Sequence, residues 1–321
     1  MRIHITGIAG VLGSGLAEAF VNAGYDVQGN DVQRIEEAWR LSEVRDRVRY
    51  MWKSTTDLTQ EDLEGVDLII DAGLAVADRP LGTSSPEYTV INNLLPPLRL
   101  LELVRRMSRK PIVIYPSSFN ALYGHGNTEY TEDLLPNPTT IYGFTKASAE
   151  LLYLTYHRSF GVPVIITRVG SAFGPKGRLD ELPHKLIYYG LLGRRFYLRS
   201  PYASRLWTYK KDAVNFYMKL IPQANDFIGM VLHLAGNRGD EVVTNVELAR
   251  RVKKYVPTLE WVEGEYEPGE LINGKPLTFR IGISRTRKLL GWEPQYTLDE
   301  GLRETVEWFK RYLSTASLTK P

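Results

Sequence analysis

The sequence predicts an α/β protein built on a doubly wound parallel sheet. Short apolar runs alternate with amphipathic stretches through the first half of the chain, which is the pattern of consecutive βαβ units. A glycine-rich stretch at 6–13 directly follows the first apolar run at 3–5. Further along, Tyr142 and Lys146 are spaced so that they share one face of a helix.

The elements of this first half follow one another in a regular order. The last strand is followed by Gly174-Pro175, after which turn residues, aromatic residues and charges become more frequent. Pro96 and Pro97 are compatible with the second helix only if they fall in its first turn. The predicted strands are 3–6, 26–30, 48–52, 68–71, 112–115 and 164–168, and the predicted helices are 12–23, 92–106 and 142–160.

The change of pattern after residue 174 predicts two lobes. Residues 1–174 form a Rossmann dinucleotide-binding domain, and 207–235 return to it through a helix at 211–220 and a strand at 231–234. Residues 175–206 and 236–321 form a smaller α/β substrate-binding lobe.

Composition limits the function classes. The chain has 321 residues, a net charge of +3 and no cysteine, so a nucleic-acid partner, disulfides and thiol chemistry are not expected. The five histidines show no metal-ligand spacing. No apolar stretch reaches the ~18 residues needed to span a bilayer, and the first strand begins too early to leave room for a signal peptide. A cytoplasmic protein without a metal is expected.

The glycine-rich stretch suits a dinucleotide pyrophosphate. Gly7 permits a tight turn out of the strand, Gly10 lets the backbone approach the phosphates, and Gly13 lets the helix pack closely on the sheet. The first helical turn, with Val11 and Leu12, then offers free amide donors to the phosphates. The spacing is G-x-x-G-x-x-G, which differs from the commoner G-x-G-x-x-G.

Two acidic residues are candidates for the adenosine end of this cofactor. Asp31 ends the second predicted strand, where a carboxylate accepts hydrogen bonds from both ribose hydroxyls and repels a 2′-phosphate, so NAD is favoured over NADP. Arg34 lies nearby and weakens that preference. Asp57-Leu58 follows the third strand, where it would meet the adenine; alternatively, Asp57 caps a helix that begins near Thr59.

Tyr142 and Lys146 suit acid/base chemistry. A neighbouring ammonium favours the phenolate form of a tyrosine, which makes Tyr142 a usable general base. Lys146 could also bind the nicotinamide ribose. The alternative is an ordinary surface tyrosine and lysine on a helix.

These features together resemble the extended short-chain dehydrogenase/reductases, within the NAD-dependent epimerase/dehydratase family. The resemblance implies that Asn93 contacts the cofactor, that Arg205 binds a substrate diphosphate, and that two long helices pair across a homodimer axis. It covers nearly the whole chain and includes the glycine turn, Asp31, Asp57-Leu58, Asn93, Ser117-Ser118, Tyr123-Gly124, Tyr142, Lys146, Arg168, 173–175, Arg205, Asp212 and 289–294.

The chain also departs from this family. Relatives place a catalytic Ser or Thr where this chain has Phe119, so either Ser118 serves through a loop that is one residue longer or the hydroxyl contribution is altered. Dehydratases place Asp-Glu after that hydroxyl, whereas Phe119-Asn120 follows Ser118 here. Asp71 replaces a usual histidine, and Ser171 replaces a substrate-contacting asparagine.

The resulting prediction is an NAD-dependent epimerase of a nucleotide-activated sugar, resembling UDP-sugar 4-epimerases. Tyr142, Lys146 and Ser118 are the predicted catalytic residues, and Ser118, Ser171, Arg205 and Arg280 are predicted to contact the substrate. The alternatives are an NAD-dependent dehydrogenase or ketoreductase of a sugar, sugar acid or related alcohol, and a non-catalytic NAD-binding sensor.

Overall fold

A computed structural model describes residues 1–74, 84–267, 270–272, 274–278 and 280–318 of the chain. Its strands, in chain order, are β1 Arg2–Thr6, β2 Asp26–Asp31, β3 Arg49–Trp52, β4 Leu68–Asp71, β5 Ile112–Ser118, β6 Glu129–Tyr130, β7 Val164–Val169, β8 Ser171–Phe173, β9 Phe196–Leu198, β10 Ser204–Tyr209, β11 Val231–Leu234, β12 Val242–Thr244, β13 Trp261–Glu263, β14 Leu271–Ile272, β15 Lys275–Pro276 and β16 Arg280–Ile281.

Helices cover both faces of the main sheet and build much of the second lobe. The α-helices are α1 Val11–Asn22, α2 Pro86–Arg106, α3 Ile141–Phe160, α4 Leu182–Leu191, α5 Lys210–Leu220, α6 Asn245–Tyr255 and α7 Leu298–Leu318. The shorter helical turns are Trp39–Leu41, Arg45–Arg47, Thr55–Asp57, Glu61–Leu63, Phe119–His125, Ile221–Phe227 and Thr286–Leu290.

The main sheet has seven strands in the order β11-β7-β5-β4-β1-β2-β3, and every pairing in it is parallel. Strand β4 is buried along its whole length, as expected for a parallel sheet covered on both faces. The predicted doubly wound α/β fold is confirmed. The order of the strands reverses between β4 and β1, where such sheets form a crevice for ligands at the carboxyl ends of the strands.

Two apolar clusters cover the faces of this sheet. One contains Leu16 and Phe20 of α1 with Phe216 of α5. The other contains Leu101 of α2 and Tyr153 of α3. Because these helices hold the sheet from both sides, the positions of residues at the carboxyl ends of the strands are well defined.

Helix α2 differs from the prediction. It begins at Pro86, so Pro96 and Pro97 lie inside the helix and not in its first turn. Each interior proline removes one hydrogen bond, here to the carbonyl groups of Asn92 and Asn93. The helix nevertheless continues, because Leu100, Leu101 and Val104 are completely buried in the cluster shared with α3. Tertiary packing therefore overrides the local preference of the two prolines.

The second lobe has its own apolar core. It is formed by α4, α6 and α7 with strands β9, β10 and β12, and it includes Leu186, Val252 and Phe309. Trp207 and Tyr209, which the prediction assigned to the first domain, pack in this second core. None of the helices in the described ranges has the length and apolar character needed to cross a lipid bilayer.

Candidate active site

The glycine turn lies between β1 and α1 and has little free space. Gly7 has a φ of +62°, and a Cβ atom there would stand 2.7 Å from the Cα atom of Gly73. The Gly10 amide donates to the Gly7 carbonyl at 2.9 Å, which closes the turn. A side chain at Gly7 would therefore both strain the backbone and push the loop after β4 away.

The start of α1 is built to accept an anion. A Cβ atom at Gly13 would stand 2.4 Å from the Gly7 carbonyl oxygen, so the helix lies directly against the turn. Gly10 caps α1 without a side-chain hydrogen bond, and Val11 and Leu12 line the cavity in front of it. The uncapped amides of this first turn and the positive end of the helix dipole fit a pyrophosphate.

Asp31 lies at the carboxyl end of β2 and lines the same cavity. Its two carboxylate oxygens accept hydrogen bonds from the Ala9 amide at 3.0 Å and from the Gln33 amide at 3.1 Å. These contacts orient the carboxylate beside the glycine turn. The position fits a ribose with both hydroxyls free, as in NAD.

The other three predicted cofactor contacts lie elsewhere. Asp57 is exposed, and Leu58 is buried in the cluster under α2 and α3. Asn93 donates to the Thr145 hydroxyl at 3.3 Å, between the two long helices. From these same segments, Ser54, Thr55 and Asn92 line the cavity, and sequence reasoning missed them because a shift of one to three residues changes which side chain faces it. A cofactor role for the three residues stays a prediction.

The cavity at the carboxyl ends of the strands has a volume of about 1530 Å³. Pockets for one small ligand are usually about 300–1,000 Å³, so this cavity is large enough for a cofactor and a substrate together. It extends from the glycine turn to the second lobe, where Ser200, Arg205 and Asn245 line it.

Helix α3 brings the predicted acid/base pair to this cavity. The Thr140 side chain caps the helix by accepting from the Gly143 amide at 2.9 Å, so Tyr142 lies in the first turn. Lys146 donates to the Pro116 carbonyl at 2.8 Å and lies 4.7 Å from the centre of the Tyr115 ring. Tyr142 and Lys146 are 8% and 5% exposed, so both act in a largely water-excluded environment.

The two serines at the end of β5 have different surroundings. The Ser117 hydroxyl donates to the Glu150 carboxylate at 2.5 Å, and Glu150 is paired with Arg168 at 2.9 Å. The Ser118 hydroxyl accepts from the amide and the side chain of Asn120 at 3.3 and 3.2 Å. Both serines line the cavity. Because the Ser117 hydroxyl is bonded to a buried ion pair, the geometry agrees with the choice of Ser118, whose contact with a substrate stays a prediction.

Phe119 does not take the place of that hydroxyl. Its side chain is 3% exposed and packs against the Tyr130 ring, with ring centres 6.5 Å apart, and edge-on against His233 at 4.7 Å. The chain turns into a short helix at Phe119, so this residue points into the core while Ser118 remains at the end of the strand.

The structure also explains Asp71, which the sequence analysis left without a role. Asp71 ends β4 and is almost completely buried. Its carboxylate accepts from the Thr6 and Tyr153 hydroxyls, each at 2.5 Å. Burial raises the pKa of this carboxyl group, while the two hydroxyls and the Lys146 ammonium act in the opposite direction.

Three of the four predicted substrate contacts, Ser118, Ser171 and Arg205, line the cavity, and the fourth does not. Ser171 lies at the start of β8, and Arg205 on β10 is paired with Glu270. Arg280 is exposed and lines a separate, smaller cavity with Glu129. The structure therefore does not bring Arg280 to the other predicted site residues.

Lys210 is a site residue that sequence reasoning missed. It begins α5, lines the cavity, and lies so close to α1 that a Cβ atom at Gly15 would meet its side chain at 2.6 Å. Burial lowers the pKa of Lys210 to about 8. The sequence shows that this lysine follows a strand rich in aromatic residues. Only the packing of α5 on α1 shows that it lies at the end of the cavity near the glycine turn.

Comparison with known proteins agrees with this geometry. A family model described as the NAD dependent epimerase/dehydratase family matches residues 3–235. The chain is 26% identical to a UDP-glucuronate 4-epimerase of Thermodesulfobacterium geofontis, over 95% of each chain. It is 25% identical to a dTDP-glucose 4,6-dehydratase of Mycobacterium tuberculosis, over 97% of this chain and 93% of that one.

The fold is likewise similar to solved structures. A UDP-glucuronic acid 4-epimerase from Bacillus cereus, crystallised with UDP-glucuronic acid and NAD, superposes with a TM-score of 0.85 at 24% identity. The match covers 97% of this chain and 100% of that one.

Proposed function

The chain belongs to the NAD-dependent epimerase/dehydratase family, and from this premise we propose that it is an NAD-dependent epimerase of a nucleotide-activated sugar. The observation that carries the proposal is that one cavity is lined by the glycine turn, by Asp31 and by Tyr142, Lys146 and Ser118. The residues predicted to bind the cofactor and those predicted to transfer protons therefore line the same cavity.

The residues of this chain divide the work between them. The glycine turn, the first turn of α1 and Asp31 would hold NAD, which supplies a hydride acceptor that can also return the hydride. Tyr142 removes the proton from a sugar hydroxyl and gives it back. Lys146 stabilises the phenolate of Tyr142 by its positive charge, and the Ser118 hydroxyl holds the sugar oxygen in place.

We assign the nucleotide end of the substrate to the second lobe. Arg205 is permanently charged and presents a planar fork that suits a diphosphate. It lies in the cavity wall opposite the glycine turn, paired with Glu270. Relatives that act on UDP-sugars support a uridine diphosphate, with reaction at C4 of the sugar.

Epimerisation is favoured over dehydration by the residues after Ser118. Eliminating water from a sugar needs an acid and a base near the second carbon. Phe119 is buried in the core, and the side chain of Asn120 returns to the Ser118 hydroxyl. The two positions where dehydratases carry Asp-Glu therefore offer neither a proton donor nor a carboxylate.

The test begins with the purified protein. It is unfolded, and mass spectrometry identifies the released nucleotides; bound NAD is expected without added cofactor. UDP-glucose and UDP-glucuronate are then supplied separately, and products are separated by chromatography while NADH absorbance is followed. A 4-epimer without net NADH supports the proposal. Accumulating NADH with an oxidised sugar would show a dehydrogenase instead, and a product lacking one water would show a dehydratase.

We also propose a homodimer formed through α2 and α3. Leu95 and Leu98 of α2 and Phe144 and Leu151 of α3 are between 37% and 53% exposed, which is unusual for apolar side chains on two adjacent long helices. A second copy of the same pair would bury them in a four-helix bundle. Sedimentation of the unmodified protein and of the Leu151→Lys variant tests this proposal. A dimer is expected for the unmodified protein and a monomer for the variant, and monomers in both samples would refute the proposal. The cytoplasm remains the expected compartment.

A further inference from the structure

Beneath Tyr142 lies a group of five side chains that includes Lys146 and four residues that the proposed reaction does not use. We call Thr6, Asp71, Tyr115, Lys146 and Tyr153 the Asp71 cluster. They come from β1, β4, β5 and α3, so the cluster joins the cofactor turn to the catalytic helix. All five are at most 5% exposed.

The hydrogen bonds of the cluster indicate that Asp71 is a carboxylate. The Thr6 hydroxyl oxygen accepts from the Gly73 amide at 3.0 Å, so its own hydrogen is directed to Asp71 at 2.5 Å. The Tyr153 hydroxyl donates to the other oxygen of Asp71 at 2.5 Å. Burial and the negative charge of Asp71 raise the pKa of Tyr153 well above its usual range, which keeps this donor protonated.

The same cluster connects Asp71 to Lys146. The rings of Tyr115 and Tyr153 are stacked with their centres 4.7 Å apart. The Lys146 ammonium lies 4.7 Å from the centre of the Tyr115 ring, and its charge acts on Asp71. Asp71 therefore faces Thr6 from β1, Tyr115 from β5, and Lys146 and Tyr153 from α3.

The buried charges near the end of β5 balance one another. Glu150 and Arg168 form an ion pair with side chains that are 1% and 3% exposed. Asp71 and Lys146 are likewise a buried negative and a buried positive charge within one cluster. Replacing Asp71 by a neutral residue would leave one additional positive charge in the interior, at the site where the oxidised nicotinamide ring also brings a positive charge.

We propose that the Asp71 carboxylate is a positioning residue that acts through Lys146 to favour the oxidised cofactor over the reduced one. The proposal rests on the proposed function, because it assumes that NAD binds beside Lys146. A carboxylate at this place would keep the bound cofactor mainly in its oxidised form between turnovers. A redox-neutral epimerase needs the oxidised form at the start of each turnover.

The test must change the charge of Asp71 alone. Asp71→Asn preserves the size of the side chain and removes its negative charge. It leaves in place the ion pair of Arg178 with Asp180, which also lines the cavity.

The experiment compares the affinities of the purified protein for NAD⁺ and NADH, without any sugar. Asp71→Asn is expected to weaken NAD⁺ relative to NADH by about tenfold, the factor that corresponds to one unit of pKa.

A second variant covers the case in which Asp71→Asn does not fold. Tyr153→Phe keeps the ring stack but removes one donor to the carboxylate, so it should shift the affinity ratio in the same direction, and more strongly at lower pH. The matched control is Tyr217→Phe on α5. It removes a buried hydroxyl that is hydrogen-bonded to Thr167 at 2.8 Å, and it should leave the NAD⁺/NADH affinity ratio unchanged.

An unchanged NAD⁺/NADH ratio in the Asp71 variant, or in the Tyr153 variant if the first does not fold, overturns the proposal. Because this measurement needs only the cofactor, it is independent of which sugar the enzyme uses. If the unmodified protein converts no UDP-sugar but the Asp71 variant still shows the shifted NAD⁺/NADH affinity ratio, the proposed substrate is refuted and the proposed role of Asp71 stands.

Discussion

Breaking the buried ion pair between Glu150 and Arg168 should strongly destabilise the protein. The change is Arg168→Met, which keeps an unbranched, though shorter, side chain and removes the charge. Arg168 donates to the two oxygens of Glu150 at 2.9–3.2 Å, and the side chains are 3% and 1% exposed. After the change, the Glu150 carboxylate would still accept a hydrogen bond from the Ser117 hydroxyl but would lose its positively charged partner.

The magnitude follows from that burial. Removing one partner of a buried ion pair costs roughly 3–5 kcal/mol, because the remaining charge stays in a medium of low polarity. Replacing both partners by apolar residues of similar size is often neutral. Arg168→Met with Glu150→Leu should therefore recover most of the free energy of unfolding that the single variant loses.

Urea unfolding of the unmodified protein, the two single variants and the double variant measures this directly. The coupling between the two positions should exceed about 2 kcal/mol, well above the ~0.3–0.5 kcal/mol within which independent sites add. If Arg168→Met cost less than ~1 kcal/mol, or if the single effects simply added, the interior around β5 would be more polar than the geometry indicates.

Three further outcomes are expected. Tyr142→Phe should lower kcat by about 10²–10⁴-fold while the amount of co-purified NAD stays the same; an unchanged kcat would rule out the acid/base role. Arg205→Lys should raise KM for a nucleotide sugar by at least about tenfold with little change in kcat, because a lysine does not provide a bidentate fork, and an unchanged KM would place the diphosphate elsewhere. The free energy of unfolding should fall as the pH drops below about 6.5. Burial lowers the pKa of His4 and His184 to about 4 and that of His233 to about 3. Below a pH of about 6.5 the unfolded chain therefore binds more protons than the folded one. Urea midpoints between pH 7 and pH 4 check this, and a constant midpoint would contradict it.

The sequence was most informative where function depends on local spacing. Gly7, Gly10 and Gly13 follow the first strand directly, and Tyr142 and Lys146 are one helical turn apart, so their relative positions depend on one turn or one helix. Strand β11 was also visible, because its apolar run stands alone between turn residues. In such cases the hydrogen-bonding pattern of one element determines the geometry.

The sequence was least informative where a side chain's direction depends on a neighbouring element. It predicted Ser118 as the catalytic serine, but it could not tell that Glu150 on α3 engages Ser117. It could not tell that Asn93 faces Thr145, or that α2 continues through Pro96 and Pro97. Each of these outcomes is decided by packing between α2, α3 and the sheet.

By itself, the sequence determined the parallel α/β fold and the spacing of the glycine turn and of Tyr142 and Lys146, because these follow from hydrophobic periodicity and from spacings within single elements. Only the tertiary structure decided which serine is bonded to Glu150, where Arg280 lies, and which groups surround Asp71. Those answers depend on contacts between residues up to 82 positions apart, such as Tyr153 and Asp71. The free energy of such contacts comes from burial, which no local pattern records.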